Sequence, residues 1–198
     1  MLITFPPTPA RFANSLRSEV EDLTKSGQVP QVRGEFTQWT HAVKYWLARK
    51  ARELKLYPIY TDGQGTREFM LDLVWWQEGI GGSAILGCEI EWGNSRDICR
   101  NPARVAEDFD KLLSFKAPLK LMIFDSYSNI QTQSAVLAEL NRYFREYGDH
   151  RAGEQYLIMD MSPLKNDWYC KIMSDGEDSR LHFDPLNSAV HKTVISIE

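Results

Sequence analysis

Glu68, Asp72, Glu89 and Glu91 lie in two patterned stretches separated by Glu78-Gly79-Ile80-Gly81-Gly82-Ser83. Side chains alternate faces along a strand. In Glu68–Trp76, Phe69, Leu71, Leu73 and Trp75 therefore share one face, and Glu68, Met70, Asp72, Val74 and Trp76 the other. In Ala84–Trp92, Ala84, Leu86, Cys88, Ile90 and Trp92 share a face, and Ile85, Gly87, Glu89 and Glu91 lie opposite. The two apolar faces must coincide, because a one-residue slip would bury the acids. A compact turn centred near Ile80 then sets Asp72 opposite Glu89, Met70 opposite Glu91 and Leu71 opposite Ile90. Asp72, Glu89 and Glu91 converge on one patch, with Glu68 at its edge. Facing Cβ atoms in such a pair are about 4.5–5.5 Å apart, so the carboxylates repel unless positive charge lies between them. A hard divalent cation such as Mg²⁺ takes oxygen ligands of this kind. The alternative is an acidic, solvated sheet face. Met70, Val74, Trp76 and Ile85 on that face argue against it, since carboxylates among apolar groups need a partner or a metal.

The elements that must hold these acids follow from periodicity. Residues 1–10 carry Pro6, Pro7 and Pro9 and read as an extended arm, followed by a short helix over 11–25 with Phe12, Leu16, Val20 and Leu23 on one side. Gly27, Pro30 and Gly34 mark a loop. A longer helix spans Phe36 to Leu56, its apolar stripe traced by Val43, Trp46, Leu47 and Leu54, and Pro58 ends it. After the hairpin, Pro102 suits a helix start, and residues 103–116 carry Val105, Phe109, Leu112 and Leu113 at helical spacing. Leu119–Phe124 and Tyr156–Met161 are buried-type strands. Between them residues 131–147 form a helix carrying Val136, Leu140, Tyr143 and Phe144. Trp168–Met173 and Arg180–Phe183 flank Asp175-Gly176 as a final hairpin. The order predicts an α/β sandwich around a mixed sheet, in one domain over 1–198. Within it, 1–34 form the arm and short helix, 36–161 the core and 162–198 the C-terminal hairpin.

The chain has 198 residues, 43% hydrophobic and 25% charged, which suits one soluble globular core. No apolar run approaches the roughly 18 residues of a membrane span. The N-terminus has no basic region before an apolar core, so it does not read as a signal peptide. Cys88, Cys99 and Cys170 are too few and too scattered for a disulfide framework, which makes a reducing cytoplasm the expected compartment. A net charge of −4 argues against a nonspecific nucleic-acid coat, though local clustering matters more than the sum. Lys44, Arg49, Lys50, Arg52 and Lys55 crowd one helix, and Arg96, Arg100 and Arg104 one loop; both groups read as solvated surface. His41, His150, His182 and His191 lack ligand spacing. Gly79-Ile80-Gly81-Gly82 lacks the spacing of a phosphate loop, and G-x-S-x-G is absent. Cys88 falls on the core face and reads as a small hydrophobe.

A helix leading into a hairpin with an Asp on its first strand and acid-x-acid on its second, then a helix and a further strand, resembles the PD-(D/E)XK, restriction endonuclease-like superfamily. Leu86-Gly87-Cys88-Glu89-Ile90-Glu91-Trp92-Gly93-Asn94 is similar to the E-x-E-W-x-N segment of type II restriction enzymes of the BamHI and BglII group. The stretch from Asp108 to Phe115 resembles the helix that follows it there. The likeness covers about residues 36–161. It implies a three-layer α/β/α fold with a mixed central sheet, and a Mg²⁺-dependent DNA endonuclease, with Mn²⁺ as the substitute ion. Asp72 matches the family's central metal-ligand Asp and Glu89 the first acid of the second strand. Glu91 stands where a Lys is usual, as a base or second metal contact, and Lys111 or Lys116 would then supply the missing cation. Glu53 resembles an extra acid that some members add, or is a surface residue. Double-strand cutting implies a homodimer. The other expectation is a non-catalytic nucleic-acid-binding or protein-interaction module on the same fold.

Overall fold

Helix α1 (Pro9–Ser26) begins where the Thr8 hydroxyl accepts the Arg11 N–H at 3.3 Å and Pro9 takes a first-turn position that needs no donor. Gly27 closes it at φ +65°, a left-handed conformation that glycine adopts without cost. The computed structural model describes residues 5–6, 8–27, 35–60, 70–79, 82–92, 102–162, 167–172 and 184–185. In α2 (Glu35–Glu53), Ala42, Val43, Trp46, Leu47 and Ala51 are buried. Pro58 does not end this helix. Lys55 turns the chain out at φ +60°, and the Leu56 N–H closes back on the Ala51 carbonyl at 2.8 Å. Leu54, expected in the apolar stripe, is therefore left 45% exposed past the helix end. Pro58 instead lies in a strand absent from the sequence reading, β1 (Tyr57–Tyr60), at one edge of the sheet where its missing N–H is tolerated.

The sheet runs in chain order. β1, β2 (Leu73–Trp76) and β3 (Ala84–Glu91) form an antiparallel meander. Helix α3 (Ala103–Ser114) crosses to β4 (Leu119–Phe124), and α4 (Ile130–Glu146) to β5 (Gln155–Asp160), giving the parallel pairs β3–β4 and β4–β5. β6 (Trp168–Lys171) pairs antiparallel with β5 and with the two-residue β7 (Asp184–Pro185). Residues 173–183 lie outside the described residues, including the expected strand Arg180–Phe183.

Two cores flank this sheet. Leu73, Trp75, Cys88, Ile90, Leu121 and Ile123 pack against α1 and α2. Val74, Trp76, Met122, Phe124, Tyr156 and Ile158 pack against α3 and α4. The chain is thus α/β, with a mixed open sheet between two pairs of helices, and the strict alternation of the two sets reflects the two-residue period of a strand.

The hairpin keeps the expected register for Leu73↔Cys88, Val74↔Gly87 and Trp75↔Leu86. It departs at both ends. Trp76 pairs with Ala84, so Ile85 is an extra residue; it packs in the core under α1 and α2 and not on the acid face. Among the described residues the regular strand starts at Leu73. Met70 sits at φ +49°, which breaks the extended backbone, and Leu71 consequently packs in the core under α3 and α4 and not beside Leu73. Glu68 lies outside the described residues.

Candidate carboxylate site

The break before β2 puts Asp72 at a point where both helical layers and β3 reach it. Its Oδ2 accepts the backbone N–H of Ile90 at 2.9 Å. Its Oδ1 meets the Lys44 ammonium of α2 at 2.6 Å, and Lys44 is buried to 5% exposure. On β3, Gly87 admits close cover from above. A Cβ there would stand 2.8 Å from Leu71 Cδ1 and 2.9 Å from Phe115 Cδ1, so glycine lets the end of α3 lie tightly on the strand.

That packing brings Lys111 over Glu89, with Nζ 3.7 Å from Oε1, while Asp108 one helical turn earlier holds the same ammonium at 2.6 Å. Glu89 is buried, and its Oε1 accepts no hydrogen bond among the described residues. Asp72 and Glu89 share a side-chain hydrogen bond. Glu91, two residues further along β3, has Oε1 4.0 Å from Arg104 Nη2.

Burial, and then the neighbouring Asp72 charge, push the Glu89 carboxyl up to about 9; Lys111 opposes this and Asp108 adds to it. Glu89 is accordingly protonated near neutral pH when no further cation is present, which is what allows it to hydrogen-bond Asp72. Burial works to lower the Lys111 ammonium. Its hydrogen bond to Asp108 and the charges of Glu89, Asp108 and Asp72 outweigh that and hold it above its usual range. The Cys88 thiol is raised well above its ordinary value, first by burial and then by Asp72 and Glu89. It is inert as a nucleophile.

Of the acids read from the sequence, Asp72 and Glu89 meet and Glu91 faces Arg104. Among the described residues no three His, Cys, Asp or Glu side chains form a group that could hold a metal ion. The positive charge beside the pair comes from lysines. Lys111 is one of the two expected candidates; Lys116 is exposed and makes no contact here. Glu53 is half exposed and pairs with Arg49 and Lys50, as a surface residue does. Lys44 corrects the reading of its helix as a solvated basic face. The signal was present: Lys44 stands next to Val43 and in line with Ala48 and Ala51, small buried residues that bring this face of α2 close to the sheet. Arg96 and Arg100 lie outside the described residues.

A second buried polar centre has no counterpart in the sequence reading. Asp160, at the C-terminal end of β5, accepts from the Ser126 N–H and hydroxyl, the Gln133 amide and the Ser162 N–H. Beside it, Arg17 Nη2 of α1 donates to both carboxylate oxygens of Asp167, at 2.7 and 2.9 Å, and to the Asp160 carbonyl. Of these groups Arg17 Nε alone finds no acceptor among the described residues, and the other contacts tie α1 to the end of β5 and the start of β6.

Comparison with family models, with curated proteins and with solved structures finds no match to the chain. No described helix is long and apolar enough to cross a membrane.

Proposed function

We propose that the chain is a divalent-metal-dependent nuclease that hydrolyses phosphodiester bonds in DNA, on a restriction endonuclease-like three-layer fold. The observation that carries this reading is the facing pair Asp72 and Glu89, with Glu89 Oε1 buried, unbonded and 3.7 Å from Lys111 Nζ. The succession of α2, the β2–β3 hairpin, α3 and β4 supports it, being the order that the sequence resemblance implies.

With two carboxylates and no third such side chain grouped with them among the described residues, a hard cation would complete its shell with water and phosphate oxygens. Two carboxylates converge, Glu89 Oε1 accepts no hydrogen bond among the described residues, and Lys44 and the Ile90 N–H anchor Asp72. Asp72 and Glu89 would hold Mg²⁺ or Mn²⁺, which when bound supplies Lewis acidity toward a phosphate oxygen and an acidified water. Lys111 is placed to bind the substrate phosphate and offset charge that develops on it, the role of the lysine absent at position 91. Glu91 is the side chain left to accept a proton from water. Lys44 positions Asp72 and touches no substrate in this scheme. Cutting both strands takes two such sites, hence a homodimer.

The test is nicking of supercoiled plasmid with Mg²⁺ or Mn²⁺ by the wild type, Asp72→Ala and Glu89→Ala. Metal-dependent nicking by the wild type alone is expected. Equal nicking by all three removes this site from consideration. The second reading, a non-catalytic nucleic-acid-binding or protein-interaction module, is favoured by the lysines that already neutralise the pair; metal-dependent DNA binding without cleavage would support it.

A further inference from the structure

Helix α3 joins two parallel strands, so it runs antiparallel to β3, and its later residues meet the strand's earlier ones. Lys111 Nζ accordingly stands 3.7 Å from Glu89 Oε1, and Arg104 Nη2 4.0 Å from Glu91 Oε1. The two cations are two helical turns apart, which places them on one side of α3 with about 10 Å between them along its axis. Their side chains are 46% and 48% exposed, whereas those of Glu89 and Glu91 are 5% and 17% exposed. The cationic side chains thus form a solvent-facing rim beside recessed carboxylates.

Lys111 is fixed in place by Asp108, which holds it at 2.6 Å. The contact between Arg104 and Glu91 does little for stability, because a half-exposed pair at 4.0 Å is weak and screened. Arg104 also stands in the first turn of α3, which contains no acid, and the helix dipole disfavours a cation at that end. A guanidinium suits phosphate better than it suits this position. It meets two phosphate oxygens through parallel N–H donors and keeps its charge at every pH at which the protein is folded.

We propose that Arg104 binds a phosphate flanking the scissile one, so that Arg104 and Lys111 seat one DNA strand along the exposed side of α3. The inference rests on the nuclease reading of Asp72 and Glu89 and adds the path of the substrate across that site. Each strand of a duplex carries one charge per about 3.4 Å of axis, so a strand laid along α3 brings further phosphates within the roughly 10 Å between the two cations. Lys111 then meets the phosphate beside Glu89, and Arg104 exchanges its long contact with Glu91 for a phosphate further along the strand. Arg104 is a substrate-positioning residue in this arrangement and takes no part in bond breaking.

The test is binding of a fluorescein-labelled DNA duplex by the full chain, followed by anisotropy over a series of KCl concentrations, with Ca²⁺ in place of Mg²⁺ to hold back cleavage. Arg104→Gln should weaken binding by about tenfold and lower the slope of log K against log salt by about one, with an unchanged thermal midpoint. Arg104→Lys should keep the wild-type slope and recover part of the affinity. Arg145→Gln, an exposed change in the last turn of α4, controls for net charge and should leave both quantities as they are. Wild-type affinity and slope in Arg104→Gln, while the wild type still nicks plasmid, overturn this inference and leave the nuclease reading standing. An equal fall in slope for Arg145→Gln also overturns it, as does a slope that Arg104→Lys fails to restore. A wild type that neither nicks plasmid nor binds the duplex removes the nuclease reading, and this inference with it.

Discussion

Replacing Glu89 by Gln isolates the strain that the carboxylate pair stores. In the unfolded chain Glu89 titrates near 4.5; in the folded protein it is pushed up to about 9. Between those values the folded chain keeps a proton that the unfolded chain has lost. The stability this group contributes is therefore complete below about 4.5, falls as pH rises, and levels off above about 9. Each pH unit of that interval is worth about 1.4 kcal/mol, so the whole interval would amount to about 6 kcal/mol. Local opening that lets water reach the carboxylate limits the loss, and about 2–4 kcal/mol by about pH 8 is the expected cost. Gln matches the neutral acid in shape and cannot ionise. Glu89→Gln should then be nearly neutral at about pH 5 and stabilising by about 2–4 kcal/mol at about pH 8. Urea unfolding of both proteins at the two pH values measures this, and groups that titrate elsewhere cancel in the difference. Millimolar Mg²⁺ should raise the wild type at about pH 8 more than the variant, because only the wild type can release the proton and offer two charged ligands. Equal differences at both pH values, or a variant weaker at the higher one, would refute the assignment of Glu89 as a strained acid.

The remaining predictions concern how the site is held. Lys44→Met removes the ammonium 2.6 Å from Asp72 and should cost about 2–4 kcal/mol in urea unfolding, part of which Asp72→Asn in the same chain restores. Gly87→Ala forces a methyl to within 2.8 Å of Leu71 and 2.9 Å of Phe115. It should cost about 1–3 kcal/mol and lower any metal-dependent activity by lifting α3, and Lys111 with it, off Glu89. Asp167→Ala strands the buried Arg17 charge and should destabilise by about 3–5 kcal/mol, whereas Arg17→Met combined with Asp167→Leu should recover most of that in a thermal melt.

The hairpin shows why some of this was legible. Its register could be read because one apolar face had to stay apolar across both strands, and Leu73↔Cys88 to Trp75↔Leu86 obey that constraint. The helices α1 to α4 and strands β4 and β5 were legible for the same kind of reason, a period of apolar residues long enough to define a face. Tyr57-Pro58-Ile59-Tyr60 has no such period, and its proline reads as a stop, so β1, which pairs with the outer side of β2, carries no signal of its own. The bulge at Trp75/Trp76 and the positive φ of Met70 leave no mark on polarity. They decide where Ile85 and Leu71 go.

From the sequence by itself, alternation together with a compact turn near Ile80 set Asp72 opposite Glu89, and the adjacent pair Leu73↔Cys88 keeps that register. Only the tertiary structure decided that Lys44 and Lys111 close on the pair from opposite layers and that Glu91 faces Arg104. Periodicity is a property of neighbours along the chain, and it fixes faces. Which lysine meets which carboxylate depends on how far each helix slides along the sheet and how closely it approaches. Those distances are set by small residues such as Gly87, Ala48 and Ala51, whose effect appears only once the layers are packed.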